Sequence, residues 1–238
     1  MVVGEDMNTT LVTGASRGIG LEFARQYAED GWRVIACSRR PETSEALSSL
    51  AARYADRVAM HALDITDHAR IDELARSLSG ITIDLLINNA GIYADSHAAA
   101  LDEIDYDAWA QAFRVNTMAP LKMAQAFLSH IEGSRQKKIV TISSKMGSIA
   151  ENTSGRSYLY RSSKAAVNMV TKSLSIDLKP AGVIAMVFHP GWVKTDMGGP
   201  EALITATESV SGMHRIISRL SMADSGTFLT YGGQPVSW

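Results

Sequence analysis

The sequence predicts an α/β fold built on one doubly wound parallel sheet flanked by helices, and three observations lead to it. Short β-prone runs alternate with helical stretches from residue 8 to residue 188, the pattern of right-handed β-α-β crossovers. The run 83–87 is almost wholly apolar, as expected of a parallel strand covered on both faces. The first strand stops at a glycine turn that opens directly into a helix.

Taken in order, 8–13 is the first strand and 21–28 the first helix, with Gly14-Ala15-Ser16-Arg17-Gly18-Ile19-Gly20 between them. A strand is expected at 32–37, helix at 41–54 and strand at 57–62. Helix follows at 67–78, with Asp67 placed where a helix start favours an acid. After the strand at 83–87 comes one long helical stretch over 106–131, then strand 138–143, helix 157–178 and a sixth strand at 183–188. No linker, charge block or repeat divides the 238 residues, so a single domain of Rossmann type is expected over 1–238. Within it, 8–90 forms a dinucleotide-binding half, 91–196 a catalytic half and 192–222 a substrate lid.

The totals exclude several classes. The formal net charge is −2, from 23 basic and 25 acidic residues, which gives no field for nucleic acid or a membrane surface. Cys37 is the lone cysteine and the six histidines never fall at metal-ligand spacing, so neither disulfides nor a metal site is expected. The first seven residues do not resemble a secretory signal, and no apolar run is long enough to span a bilayer. A cytoplasmic location is the expectation.

The chemistry gathers at the strand ends, where an open α/β sheet places its crevice. Gly14 permits a tight turn, Gly18 close backbone approach to a pyrophosphate, and Gly20 close packing of helix on strand. The later strands end at Ser38-Arg39-Arg40, Asp64-Ile65, Asn88-Asn89-Ala90-Gly91, Ser143-Ser144 and His189-Pro190-Gly191-Trp192-Val193. Tyr160 and Lys164 lie four residues apart, one turn along one helical face. A tyrosine ordinarily titrates near ~10, so shuttling protons near neutrality needs roughly 4 kcal/mol of phenolate stabilisation. A neighbouring ammonium acts in that direction.

The ordered set Thr13-Gly14-Ala15-Ser16-Arg17-Gly18-Ile19-Gly20, Asn88-Asn89-Ala90-Gly91, Asn116, Ser144, Tyr160-x-x-x-Lys164 and Pro190-Gly191 closely resembles the short-chain dehydrogenase/reductases. The segments 189–200 and 225–238 look like the branch of the sniffer-type carbonyl reductases and bacterial C-factor proteins. The resemblance implies that Tyr160 protonates a carbonyl oxygen and that Lys164 lowers the tyrosine pKa and holds the nicotinamide ribose. Ser144 would steady the developing alkoxide, and Asn116 would interrupt its helix and position a water in a proton relay. Ser143 competes with Ser144, and the family pattern favours the second serine.

The resemblance also implies a nicotinamide cofactor. Its contacts would be Gly14, Ser16, Arg17, Gly18, Ile19, Gly20, Ser38, Arg39, Asp64, Ile65, Asn89, Ala90, Gly91, Tyr160, Lys164, Pro190, Gly191, Val193 and Thr195. Ser38 stands where a carboxylate would repel a 2′-phosphate, and Arg39 and Arg17 can face that phosphate, so NADP(H) is expected. The expected substrate is a small carbonyl compound, met by Ser144, Tyr160, Tyr93, Met146, Trp192 and Met197, with His97 also on that wall. The expected function is NADPH-dependent reduction of an aldehyde or ketone. The alternatives are a 3-oxoacyl-thioester reductase, with Lys145, Arg156, Arg161 and Lys194 meeting an acidic carrier, and a cofactor-binding signalling protein. By analogy, a homodimer or homotetramer would pair through the stretches 106–131 and 157–178.

Overall fold

The computed structural model describes residues 7–95, 101 and 103–238. Seven parallel strands form one sheet: β1 (Thr9–Thr13), β2 (Arg33–Ser38), β3 (Val58–Ala62), β4 (Leu85–Asn88), β5 (Lys138–Ile142), β6 (Ile184–His189) and β7 (Phe228–Thr230). Their order is β3-β2-β1-β4-β5-β6-β7. The order reverses between β1 and β4, whose carboxyl ends therefore open a crevice between diverging connections.

Alternate residues of each strand feed two cores. Leu11, Ile35, Leu86, Ile139 and Ala185 point to one face, and Val12, Val34, Ala36, Leu85, Ile87, Val140, Met186 and Phe188 to the other. The central strands β1, β4 and β5 are buried along their whole length because a period of two turns both sets of side chains into covered faces. The first face is covered by α3 (His68–Ser77) and α5 (Ala119–Ala126), which bring Ile71, Leu74, Ala119 and Met123. The second is covered by α1 (Gly18–Glu29), α2 (Glu45–Arg53) and α8 (Ala206–Ile217), through Phe23, Tyr27, Leu47, Leu50, Val210 and Met213.

Local capping fixes four of the α-helix starts among the described residues. Ser44 accepts from the Leu47 N–H at the start of α2, Asp67 from Arg70 at α3, and Thr205 from Glu208 at α8. Asp105 does the same for Ala108 in α4 (Tyr106–Phe113). Each satisfies an amide that the helix itself leaves open. The helices α1 and α7 (Tyr158–Asp177) have no such local side-chain cap.

Three expectations are corrected. The sheet has a seventh strand, β7, paired with β6 through Val187 with Phe228, Phe188 with Leu229 and His189 with Thr230. The stretch 106–131 is broken rather than continuous: α4 passes into a π-helical turn at Arg114–Met118, then α5, then the short α6 (Leu128–Glu132). The π turn places Val115, Asn116 and Thr117 inward, and bulges of this kind recur at functional sites. Finally, the segment read as a lid contains α8, whose Val210, Met213 and Ile217 are buried in the second core. Only the part before α8 borders the crevice.

Candidate active site

A cavity of about 630 Å³ runs along the carboxyl ends of the strands. It is lined by Gly14, Ser16, Arg17, Gly18, Ile19 and Gly20 from the first turn, and by Ser38, Arg39, Asp64 and Ile65 from the next two strand ends. Asn89, Ala90, Gly91, Tyr160, Lys164, Pro190, Thr195 and Met197 complete the anticipated set within it.

At the first turn, Gly14 has φ +69° and Gly18 φ +55°, backbone that glycine adopts without strain. A side chain at Gly20 would collide with the Gly14 carbonyl and the Asn89 amide. The helix therefore lies against the strand end with its first amides facing the cavity and no side-chain cap over them, an arrangement that attracts an anion. Asn89 braces the turn, donating to the Thr13 carbonyl at 2.9 Å. Among the described residues Ser38 Oγ is buried without a hydrogen-bond partner. Arg39 lies close enough to Asp64 to help hold that carboxyl low, although the Thr66 backbone N–H contributes most. Arg17 forms an exposed 2.7 Å ion pair with Asp196, bridging the glycine turn and the segment after β6. The uncapped amides, the buried partnerless hydroxyl and the two arginines fit a dinucleotide phosphate, including a 2′-phosphate.

At the other end three segments converge on α7. Asn116 Oδ1 accepts from the Ile92 N–H at 2.9 Å, while its amide donates to the Ile92 carbonyl at 2.9 Å and Ser163 Oγ at 3.0 Å. Thr117 donates to the Ser163 carbonyl at 2.9 Å. The expected interruption of the helix at Asn116 is present as the π turn. Both N–H bonds of its side chain are committed to protein, so that amide braces the β4 loop and α7 and has no donor left for a water.

Ser143 and Ser144 separate by environment. Ser143 Oγ donates to the Lys164 carbonyl at 3.5 Å, whereas the Ser144 hydroxyl lies beside the Tyr160 phenol and acts to lower its pKa. Ser144 also accepts from the Met146 N–H at 3.1 Å, starting a tight turn at Lys145–Gly147. That turn is pressed on α7: a Cβ at Gly147 would lie 2.8 Å from the carbonyl carbon and Cβ of Lys164. His189 secures it from the other side, accepting from the Lys145 N–H at 3.2 Å. Burial, helped by Lys145, pushes His189 down to about 4, so its ring is neutral.

The Tyr160 pKa runs against expectation. Burial pushes it up to about 12, offset in part by Ser144 and reinforced by Tyr93. Burial also pushes Lys164 down to about 8. The lysine Nζ stands 5.7 Å from the tyrosine ring centroid and donates to the Ile142 carbonyl at 3.0 Å. Desolvation of the phenolate therefore outweighs what spacing along the helix suggested.

Tyr93 packs on Tyr160 with ring centroids 4.9 Å apart. Trp192, half-exposed, donates to the Gly198 carbonyl at 2.7 Å. Ser144, Tyr93, Met146, Trp192, Gly191, Val193 and Asn116 do not line the cavity itself, whereas Ser143 does; Gly191 and Val193 instead pack toward Ile204. His97 lies outside the described residues. Unanticipated members of the wall include Gln111, Val115 and Asp196, while Lys194, named above for an acidic carrier, also lines it. Asp95, which binds the first turn of α7, was also missed. No residue spacing links Asp95 to a helix more than sixty positions later.

The family profile described as short chain dehydrogenase matches residues 8–203. Among curated proteins, C-signal from Myxococcus xanthus is 44% identical over 156 residues, covering 66% of this chain and 93% of its own length. Among solved structures, NADPH-bound carbonyl reductase from chicken fatty liver superposes with TM-score 0.89 at 36% identity, covering 98% of this chain and all of the other. Carbonyl reductase Sniffer of D. melanogaster gives TM-score 0.91 at 31% identity with the same coverage.

Proposed function

We propose a reaction from a fixed premise: this chain belongs to the short chain dehydrogenase family. The reaction is NADPH-dependent reduction of an aldehyde or ketone to an alcohol. The observation that carries it is the buried Tyr160 phenol at the cavity wall, flanked by the Ser144 hydroxyl, with Lys164 one turn along the same helix. The likeness to an NADPH-bound carbonyl reductase supports the same reading.

The first amides of α1 would hold the pyrophosphate, with Ser38, Arg39 and Arg17 toward the 2′-phosphate and Asp64 and Ile65 toward the adenine. When bound, the reduced nicotinamide supplies hydride to the carbonyl carbon. The Ser144 hydroxyl donates to the carbonyl oxygen and stabilises the charge that develops there. Tyr160 then gives its proton to that oxygen. Its raised pKa suits an acid: the phenol keeps its proton at neutral pH until an alkoxide, a stronger base, forms beside it. Lys164 would hold the ribose of the nicotinamide, and Asn116 keeps the β4 loop in place against α7. The substrate wall would come from Tyr93, Met146, Trp192 and Met197.

Tyr160→Phe tests this. NADPH binding, followed by fluorescence, should stay within about twofold, while aldehyde-dependent NADPH oxidation falls by about 10²–10⁴. Turnover that survives the change would remove the acid role. The likeness to C-signal favours a second reading, a cofactor-binding signalling protein; a signalling output untouched by Tyr160→Phe would support it. Of the basic residues the thioester-reductase alternative invokes, Lys194 lines the cavity, while Lys145 pairs with Glu151 and Arg161 binds Gly155 and Ser154.

A further inference from the structure

The catalytic helix α7 begins in an unusual way. Gly155, Arg156 and Ser157 have φ +63°, +55° and +47° in succession. Two of the three carry a Cβ, so both residues hold local backbone strain there. Ser157 occupies the N-cap position in left-handed backbone and makes no side-chain cap. Its Oγ instead pairs with the Tyr93 hydroxyl at 2.8 Å. A local cap would normally take the second or third amide of the helix, here those of Leu159 and Tyr160. Both are taken by Asp95: Oδ1 accepts from Leu159 N–H at 3.1 Å and Oδ2 from Tyr160 N–H at 2.8 Å. The carboxylate also sits at the positive end of a 20-residue helix.

We propose that Asp95 is a positioning residue for proton transfer, holding the first turn of α7 so that the Tyr160 phenol stays in register with Ser144 and Lys164. The proposal rests on the reading of Tyr160 as the acid. The segment that provides Asp95 also provides Gly91 to the cavity wall and Tyr93 to the face of Tyr160. One short connection after β4 thus touches the cavity, the phenol ring and the backbone amide beneath it. A strained turn left to relax would carry Tyr160 with it, and misplacement by about 1 Å can cost about a hundredfold in rate.

The experiment compares wild type, Asp95→Ala, Asp95→Asn and Tyr160→Phe with NADPH and 4-nitrobenzaldehyde. Asp95→Ala should lower kcat about ten- to a hundredfold with the NADPH Kd within about twofold. Asp95→Asn, which keeps one accepting oxygen of the two, should recover kcat in part, to a level between alanine and wild type. Amide exchange should rise in a peptide covering 158–164 of Asp95→Ala and stay unchanged in α1 and α5. Wild-type kcat in Asp95→Ala beside an inactive Tyr160→Phe overturns this inference alone. So does a kcat loss that Asn leaves unrepaired, or an exchange increase spread over the whole sheet. Wild-type turnover in Tyr160→Phe instead removes the acid assignment. If the alanine variant does not fold, the asparagine variant decides by the same exchange readout: a rise at 158–164 accompanied by a fall in kcat supports the cap, and a rise with unchanged kcat overturns the proposal.

Discussion

Two helices begin at the same crevice without a local cap, and they are completed in opposite ways. The first amides of α1 are left open toward the cavity. Those of α7 are closed by a carboxylate from another segment. An open helix start is a receptor for anions, whereas a closed one is a fixed support. On the reading proposed above, the site uses the same backbone feature twice, once to receive the cofactor and once to place the phenol. The other helix starts with caps, α2, α3, α4 and α8, use a side chain one residue before the helix.

The largest expected effect comes from blocking the open end. Gly20→Ala puts a methyl group against the Gly14 carbonyl, backbone that cannot swing aside. It should destabilise the fold by about 1–3 kcal/mol and abolish NADPH binding, read by thermal unfolding and fluorescence titration. A variant that binds NADPH normally would show that the approach of helix to strand is not what shapes this end.

A smaller effect sharpens what the open end selects. Arg39→Asp places a carboxylate at the cavity wall near Ser38. One charge-assisted contact contributes about 1.5–3 kcal/mol, so NADPH affinity should fall about ten- to a hundredfold or more while NADH affinity changes little. Equal losses for the two cofactors would remove the 2′-phosphate role.

The closed end carries a cost that titration can expose. Because the folded pKa of Lys164 is about 8, below its ordinary 10.5, the unfolded chain binds more protons between those values, and stability rises with pH across that window. The burial cost is complete below about 8 and relieved toward 10.5. Lys164→Met should thus stabilise the fold by on the order of 2 kcal/mol at pH 7, lose that advantage by pH 10.5, and reduce turnover. Unfolding curves at pH 7, 9 and 10.5 measure it; a pH-independent difference would contradict the buried charge.

What was legible in the sequence follows the range of the interactions. The inner strands announce themselves because both faces of the sheet are covered there, so Leu11-Val12 and Leu85-Leu86-Ile87 read as continuous apolar runs, whereas the largely exposed edge strand β3 was legible from the alternation of elements. Strand β7 has only Phe228–Thr230, too few residues to show a period. The π turn was legible only as an expected disturbance at Asn116, since no glycine or proline within Arg114–Met118 marks a break in the helix. Much of the cavity was legible through the glycine turn and the strand ends, where motif and place coincide. The tyrosine-lysine spacing was read correctly as a shared face, but a pairwise charge argument omits the desolvation that pushes Tyr160 up and Lys164 down. Asp95 was illegible because its partners are backbone amides, which have no residue identity to recognise.

Gly147 lies where the serine turn meets α7, and even a single carbon added there would press on the backbone of Lys164. The clearance between the Ser144 turn and the helix bearing Tyr160 is therefore that of one main chain resting on another, with no compressible side chain between them. Rotamers vary with temperature and with neighbouring substitutions, but peptide dimensions scarcely do. The turn acts as a spacer whose thickness is fixed by covalent geometry, and the surrounding wall can change its lining for different substrates without resetting that thickness.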